Sequence, residues 1–224
     1  MLKSSMNCIY CNNNKLYLLK TSQLKCSKCK RKFNPKKIHR DLALVKLFCR
    51  GATATQAKEK LQLNYVTVKK HYHDFRKLIA NFLEEQYKES VVIEYDEYIY
   101  LEKSKKKIKE NIFDAQNFLT FHYEDKIFNL LMPDLRSYKN QFLDDGAQDA
   151  YFKEFSKFMI LNKISKTQKR DNLITQFWIF FEEFILKYKG IKSEYFFYYL
   201  KEAEFKFNYS LHEQEALLTQ FIST

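Results

Sequence analysis

Residues 8–29 read CIYCNNNKLYLLKTSQLKCSKC, two Cys-x2-Cys pairs (Cys8/Cys11 and Cys26/Cys29) with fourteen residues between them. Each pair turns two thiolates toward one point, and two such turns close a tetrahedral shell around Zn²⁺. The intervening segment is expected to form a short hairpin, Leu16–Leu19 pairing with residues near Leu24. A redox Cys-x2-Cys stands alone beside a βαβ unit, whereas here the motif is doubled and no such unit surrounds it. A disulfide framework is disfavoured because the first residues, MLKSSMNCIYCNNNK, lack the apolar run of a secretory leader. The reading is therefore a zinc ribbon over 1–35. Its metal is structural, since four thiolates leave no open coordination position, and it stabilises a segment too small for a core of its own. Cys49, in the apolar stretch LVKLFC, is expected to be a buried small hydrophobe.

C-terminal to the ribbon the apolar period becomes helical. His39–Arg50 (HRDLALVKLFCR) sets Leu42, Val45 and Cys49 on one stripe, and Gly51 is a fitting stop. Thr53 opens a second helix with Gln56 three residues on, the pattern of a capping box, burying Ala57 and Leu61. A turn at Leu63–Asn64 leads to a third helix over about 65–85, with Val68, Tyr72, Phe75 and Ile79 as its apolar stripe. Two short helices, a tight turn and a basic third helix make a helix-turn-helix domain over 36–88. The third helix would lie in the major groove of double-stranded DNA. Tyr65, Thr67, Lys69, Lys70, His73 and Arg76 are the expected contacts to bases or phosphates, with Lys36, Lys37, Lys30, Arg31 and Lys32 anchoring the flanking backbone. His71 and His73 lack the i, i+4 spacing of helix-borne metal ligands.

Charge points the same way. Residues 1–80 carry fifteen Lys and four Arg against three acids (Asp41, Glu59, Asp74), a net of +16, while residues 81–224 net −4, giving the +12 of the whole chain. Zinc with four thiolates would lower the head to about +14. A basic head on a mildly acidic body implies a polyanion partner for the head, and nucleic acid is the leading one. An acidic membrane surface ranks below it, because the head lacks a long amphipathic helix with a bulky apolar face. Of the 224 residues 46% are hydrophobic and 17% aromatic, enough for a packed core, and only three Gly and two Pro occur. No Gly-rich phosphate loop is present, and no apolar run approaches the roughly 20 residues of a membrane span. A soluble, cytoplasmic, nucleoid-associated protein without membrane contact is the expectation.

The body, 89–224, opens with VVIEYDEYIYL (91–101), an alternating strand. Val91, Ile93, Tyr95, Ile99 and Leu101 share one face; Glu94, Asp96, Tyr98 and Tyr100 share the other. Two carboxylates on a largely apolar strand suggest a divalent-metal site, although an exposed edge strand would tolerate them. Asn117–Tyr123 and Lys126–Met132 read as a hairpin turning at Glu124–Asp125, ended by Pro133. Ala147–Phe158 is helical in period, Asp171–Lys189 is a strongly aromatic helix ended by Gly190, and Ser193 caps a last amphipathic helix. The class is α+β. The aromatic helices read as core.

These stretches resemble the ISXO-like bacterial insertion-sequence transposases (the insertion-sequence fifteen-ninety-five family), which join a zinc ribbon and a helix-turn-helix to an RNase H-like DDE nuclease. The resemblance runs over nearly the whole chain: CIYC…CSKC…KFN for the ribbon, IEYDEYIY for the first-strand E-x-D-E motif, NLITQFW for N-x-I-E-x-F-W, KYKGI for K-F-x-G-I. The tail FFYYLKEAEFKFN, against F-x-x-x-L-K-E-x-E-F-R-F-N, is the most specific match. The resemblance implies a shortened RNase H-like domain and two-metal phosphoryl transfer, carboxylates holding a pair of Mg²⁺ or Mn²⁺ ions. Asp96 matches the first acid. The second fits best at Asp145 (DDGAQDAY), with Asp144 and Asp134 as alternatives. The third acid falls where this chain has Thr175, and Glu182 or Glu183 further along the helix would have to substitute.

The leading functional expectation is a transposase that binds element ends, pairs them as a homo-oligomer, and cuts and joins strands. The alternative is a non-catalytic DNA-binding regulator derived from one. An RNA-binding ribbon protein ranks last.

Overall fold

The computed structural model describes residues 7–87, 92–102, 104, 105, 109–133, 136 and 172–223. Among these the chain is mixed α+β, with two three-stranded antiparallel sheets and six α-helices. It divides into two compact units, Met1–Leu78 with Tyr209–Thr224, and Ile79–Asn208.

The first unit begins with β1 (Leu16–Leu18), β2 (Leu24–Cys26) and β3 (Lys32–Phe33), in that spatial order. The hairpin register pairs Leu16 with Cys26 and Leu18 with Leu24, as the spacing implied, while β3 adds a third strand through Leu24 and Phe33. The core beneath is small: Cys8, Leu24, Cys26 and Phe33, with Ile9, Leu16 and Ile38 packed against it. Helix α1 (Pro35–Cys49) starts four residues before the expected His39, because Asn34 accepts from the Lys36 amide and Pro35 occupies the first turn, where a missing N–H costs nothing. Its buried stripe is Leu44, Val45, Phe48 and Cys49, with Leu42 only half-buried. Gly51, at φ +75°, supplies the left-handed residue that ends it. Helix α2 (Ala54–Leu61) carries the capping box: Thr53 Oγ1 accepts from the Gln56 amide, and Gln56 Oε1 accepts from the Thr53 amide at 2.8 Å. Helix α3 (Tyr65–Tyr87) buries the expected Val68, Tyr72, Phe75 and Ile79, and its residues from Ile79 onward belong to the second unit.

In the second unit β4 (Glu94–Tyr100), β5 (Gln116–Tyr123) and β6 (Lys126–Leu131) form an antiparallel meander. The hairpin turns at Glu124–Asp125, with Glu124 at φ +50°. Helices α4 (Leu173–Ile185) and α5 (Ser193–Asn208) supply the rest of a core built from Tyr98, Phe118, Ile127, Phe177, Trp178, Phe181 and Phe196. The face of β4 that enters this core is the tyrosine face. Tyr98 is 4% exposed, whereas Ile93 and Tyr95 on the other face are 64% and 68% exposed.

Helix α5 also seals the outer edge of β6. Asn208 accepts from the Ile127 amide (2.9 Å) and donates to its carbonyl (2.6 Å); Glu204, one turn earlier, accepts from the Asn129 amide (2.8 Å) and side chain (3.0 Å). An open row of strand donors is thereby satisfied by side chains instead of by another chain. The polar chain continues inward, Asn129 accepting from Thr120 and Thr120 from the Trp178 indole. Lys201, fully buried, pairs with Glu204 at 3.2 Å and Glu84 at 2.9 Å and lies 3.6 Å from the centre of the Phe128 ring.

The chain then returns to the first unit as α6 (Leu211–Ser223), an element the sequence reading did not contain. Ser210 and Glu213 cap it reciprocally, Leu218 is fully buried, and it packs along α1 with Glu215 facing Arg50 at 3.6 Å. The helix expected over 147–158, together with Asp134, Asp144 and Asp145, lies outside the described residues.

Candidate metal centre and nucleic-acid interface

The two Cys-x2-Cys turns are built alike. The residue after each second cysteine, Asn12 and Lys30, adopts a left-handed conformation (φ +53° and +62°), which folds the chain back so that both sulfurs of a pair face inward. The Asn12 amide donates to the Cys8 carbonyl, and the Cys26 amide to the Arg31 carbonyl. All four Sγ atoms lie within 4.8 Å of one another, with Cys8–Cys29 at 3.6 Å and Cys11–Cys26 at 3.5 Å. A tetrahedral ion with metal–sulfur bonds near 2.3 Å separates its sulfurs by about 3.8 Å. The cluster therefore fits a metal such as zinc, with small expansion. None of the four is in a disulfide. Burial works against the Cys26 thiolate, but the amides of Cys29 and Lys28, with Cys11 and Asn13, outweigh it and draw its pKa down to about 6. Cys29 moves the opposite way, up to about 11. The Arg31 amide favours its thiolate, but burial and the neighbouring sulfurs of Cys8, Cys26 and Cys11 outweigh it, the mutual repulsion that a cation at the centre of four thiolates would relieve.

The basic residues nominated from sequence divide sharply. Lys36 and Lys37 at the start of α1, and Lys30, Arg31 and Lys32 before it, are exposed. Tyr65, Lys69 and Lys70 are exposed on the first turns of α3, and Thr67 and His73 are half-buried beside them. Arg76 goes elsewhere. It is 5% exposed, with its guanidinium 5.6 Å from the centre of the Phe48 ring. On the helical wheel Arg76 stands next to Tyr72 and Ile79 at the edge of the buried side, and a single Arg at the border of an apolar stripe can lay its stem along the core. His73 holds a proton less readily than usual through partial burial and the nearby Lys77 and Arg76; in His71 burial also leads, opposed by Asp41.

The acids are less convergent. Asp96 is exposed on β4, opposite Thr120, and its carboxylate accepts from the Glu97 amide. Glu182 on α4 accepts a short hydrogen bond from the Tyr98 hydroxyl, whose pKa is raised first by burial and then by that carboxylate. Glu183 is exposed on the far side of the same helix, and Glu94 faces His122 at 3.3 Å. Among the described residues the four cysteines are the sole group of three or more Cys, His, Asp or Glu side chains close enough to share a metal.

No described helix is long and apolar enough to cross a membrane. No known protein family, curated protein or solved structure matches the chain.

Proposed function

We propose that the protein binds duplex DNA through its first unit, the four-cysteine turns holding zinc and the first turns of α3 entering the major groove. The observation that supports this most is the arrangement on α3. Val68, Tyr72, Phe75 and Ile79 anchor one side, and Lys69 and Lys70 stand free on the other, within a segment of net +16. Zinc would carry no chemistry here. It would fix the ribbon so that Lys30, Arg31 and Lys32 keep their places beside Lys36 and Lys37. The test is salt dependence. Replacing Lys69 and Lys70 by alanine should flatten the slope of log K against log salt by up to about 2, because each lost phosphate contact removes about 0.9. An unchanged slope would refute their phosphate role.

A second reading, strand cleavage and joining of the transposase type by a homo-oligomer, draws on Asp96, exposed on the first strand of a meander such as opens an RNase H-like domain. Two observations weigh against it. Thr175 stands where the resemblance expects the third acid, one turn before Trp178, whose indole donates to the cross-strand partner of Asp96. Glu182 lies one turn to the other side, held by Tyr98. Binding without efficient cleavage is the reading we favour. Incubating labelled duplex with protein and Mg²⁺ or Mn²⁺ decides it: cleavage that Asp96→Asn abolishes would establish the second reading.

A further inference from the structure

Three exposed positions of α3 and the half-buried His73 fall in one line. Val66, Lys70, His73 and Lys77 are spaced 4, 3 and 4, opposite the buried stripe of Val68, Tyr72, Phe75 and Ile79. The first member is the odd one. Val66 is 71% exposed, in the helix's first turn, and its amide is taken by the Asn64 side chain at 2.8 Å. A β-branched apolar residue is a poor choice for an exposed helix turn on propensity alone, and leaving it in water forfeits most of what its burial is worth. Tyr65 beside it is 43% exposed, and nothing acidic occurs among residues 60–73.

We propose that Val66 is a specificity residue that packs on the 5-methyl group of thymine in the major groove. This rests on the duplex-DNA reading above. The base edges offer few choices. Guanine is read by paired donors from Arg or Lys, adenine by Asn or Gln, and thymine by an apolar contact with its methyl. The exposed line offers no Arg, Asn or Gln over 66–77, since Arg76 is turned into the core and Asn64 is spent on the cap. Lys70, one turn on, is the cation that guanine or a phosphate would meet. The site recognised should therefore carry thymine under the first turn of α3, with the flanking cations supplying affinity rather than choice.

The experiment removes one methyl at a time. Full-length, zinc-loaded protein selects its site from a randomised duplex pool, and each thymine of the selected site is then replaced by deoxyuridine. The parent should lose about fourfold in affinity at one or two positions, the worth of one buried methyl group. Val66→Ala, whose single methyl reaches less far, should bind the thymine site more weakly and lose less than the parent does with deoxyuridine. The alanine variant improves helix propensity at an exposed site, so it will fold. Equal losses for parent and variant, no sensitivity to deoxyuridine, or a selected site without thymine would overturn the proposal while leaving DNA binding intact. A failure to select any duplex would overturn both.

Discussion

The ribbon and the aromatic unit reach stability by opposite routes. The ribbon has four buried core residues, two of them cysteines, and its four-cysteine cluster could hold a metal of the kind that stabilises so small a segment. The unit over 79–208 has, among its described residues, a dense core of rings, Phe118–Phe181 at 5.4 Å and Tyr98–Trp178 at 4.9 Å. It still buries charge: Lys201, Glu202 and Glu204 are all fully inside. The ribbon's polar ligands converge on one point, so they are legible as spacing. Those of the aromatic unit are distributed over α3, β6 and α5, and each is meaningful only once the chain has folded.

The contrast predicts different responses to removing one group. Cys26→Ser, or chelation of the parent, should have the largest effect, because ligand loss releases a metal whose apparent binding worth in such sites is about 10–16 kcal/mol. Metal content should fall from one ion per chain to none, and the ribbon amides should lose their dispersion in NMR. Emission from Trp178, the one tryptophan and a core residue of the other unit, should stay native. A shifted Trp178 spectrum would contradict the contrast.

Glu204→Ala should come next. It leaves buried Lys201 with Glu84 as its one remaining carboxylate among the described residues and strips the Asn129 amide of its acceptor, at a cost of about 3–5 kcal/mol. Urea unfolding followed at Trp178 measures this, while metal content should not change. A loss below about 1 kcal/mol would mean that the edge of β6 is satisfied by other means.

Leu218→Ala tests whether α6 belongs to the helical part of the first unit. A fully buried leucine costs about 2–4 kcal/mol to truncate. Circular dichroism melts should show the loss, and DNA affinity should weaken with it. A neutral result would argue that α6 is dispensable.

The smallest effect should be a gain. Lys30 holds a left-handed backbone that favours glycine, so Lys30→Gly should raise the ribbon's stability by about 1 kcal/mol at the expense of one cation. Competition with a chelator reads this directly.

How far the sequence carries follows the same division. The cysteine spacing, the Thr53–Gln56 box, the α3 stripe and the turn at Glu124–Asp125 are local patterns, and each is where the residues imply. The inward side of β4 was not legible, since alternation assigns Ile93 and Tyr95 to one face without saying which face the aromatic helices α4 and α5 cover. Nor was Arg76, whose charge reads as solvent-facing until the helix phase puts it beside Phe48. The KEAEFKFN tail is the most telling case. Its Lys and Glu look like an ordinary solvated face, yet Lys201, Glu204 and Asn208 follow a 3, 4 spacing that lays them along β6. Helix α6 had a usable signal, Ser210 with Glu213 three residues on, ahead of the apolar pair Leu217 and Leu218.

The central claim is that a metal-held, cationic first unit grips duplex DNA. The most direct measurement is anisotropy of a labelled duplex titrated with zinc-loaded, full-length protein from 50 to 200 mM salt, with and without chelator. Four phosphate contacts from Lys36, Lys37, Lys69 and Lys70 imply a log–log slope of about −3.6, steeper by about 0.9 for each of Lys30, Arg31 and Lys32 that also meets a phosphate, and chelation should weaken binding at every salt concentration. Binding that is absent at low salt, or indifferent to both salt and chelator, would contradict the account.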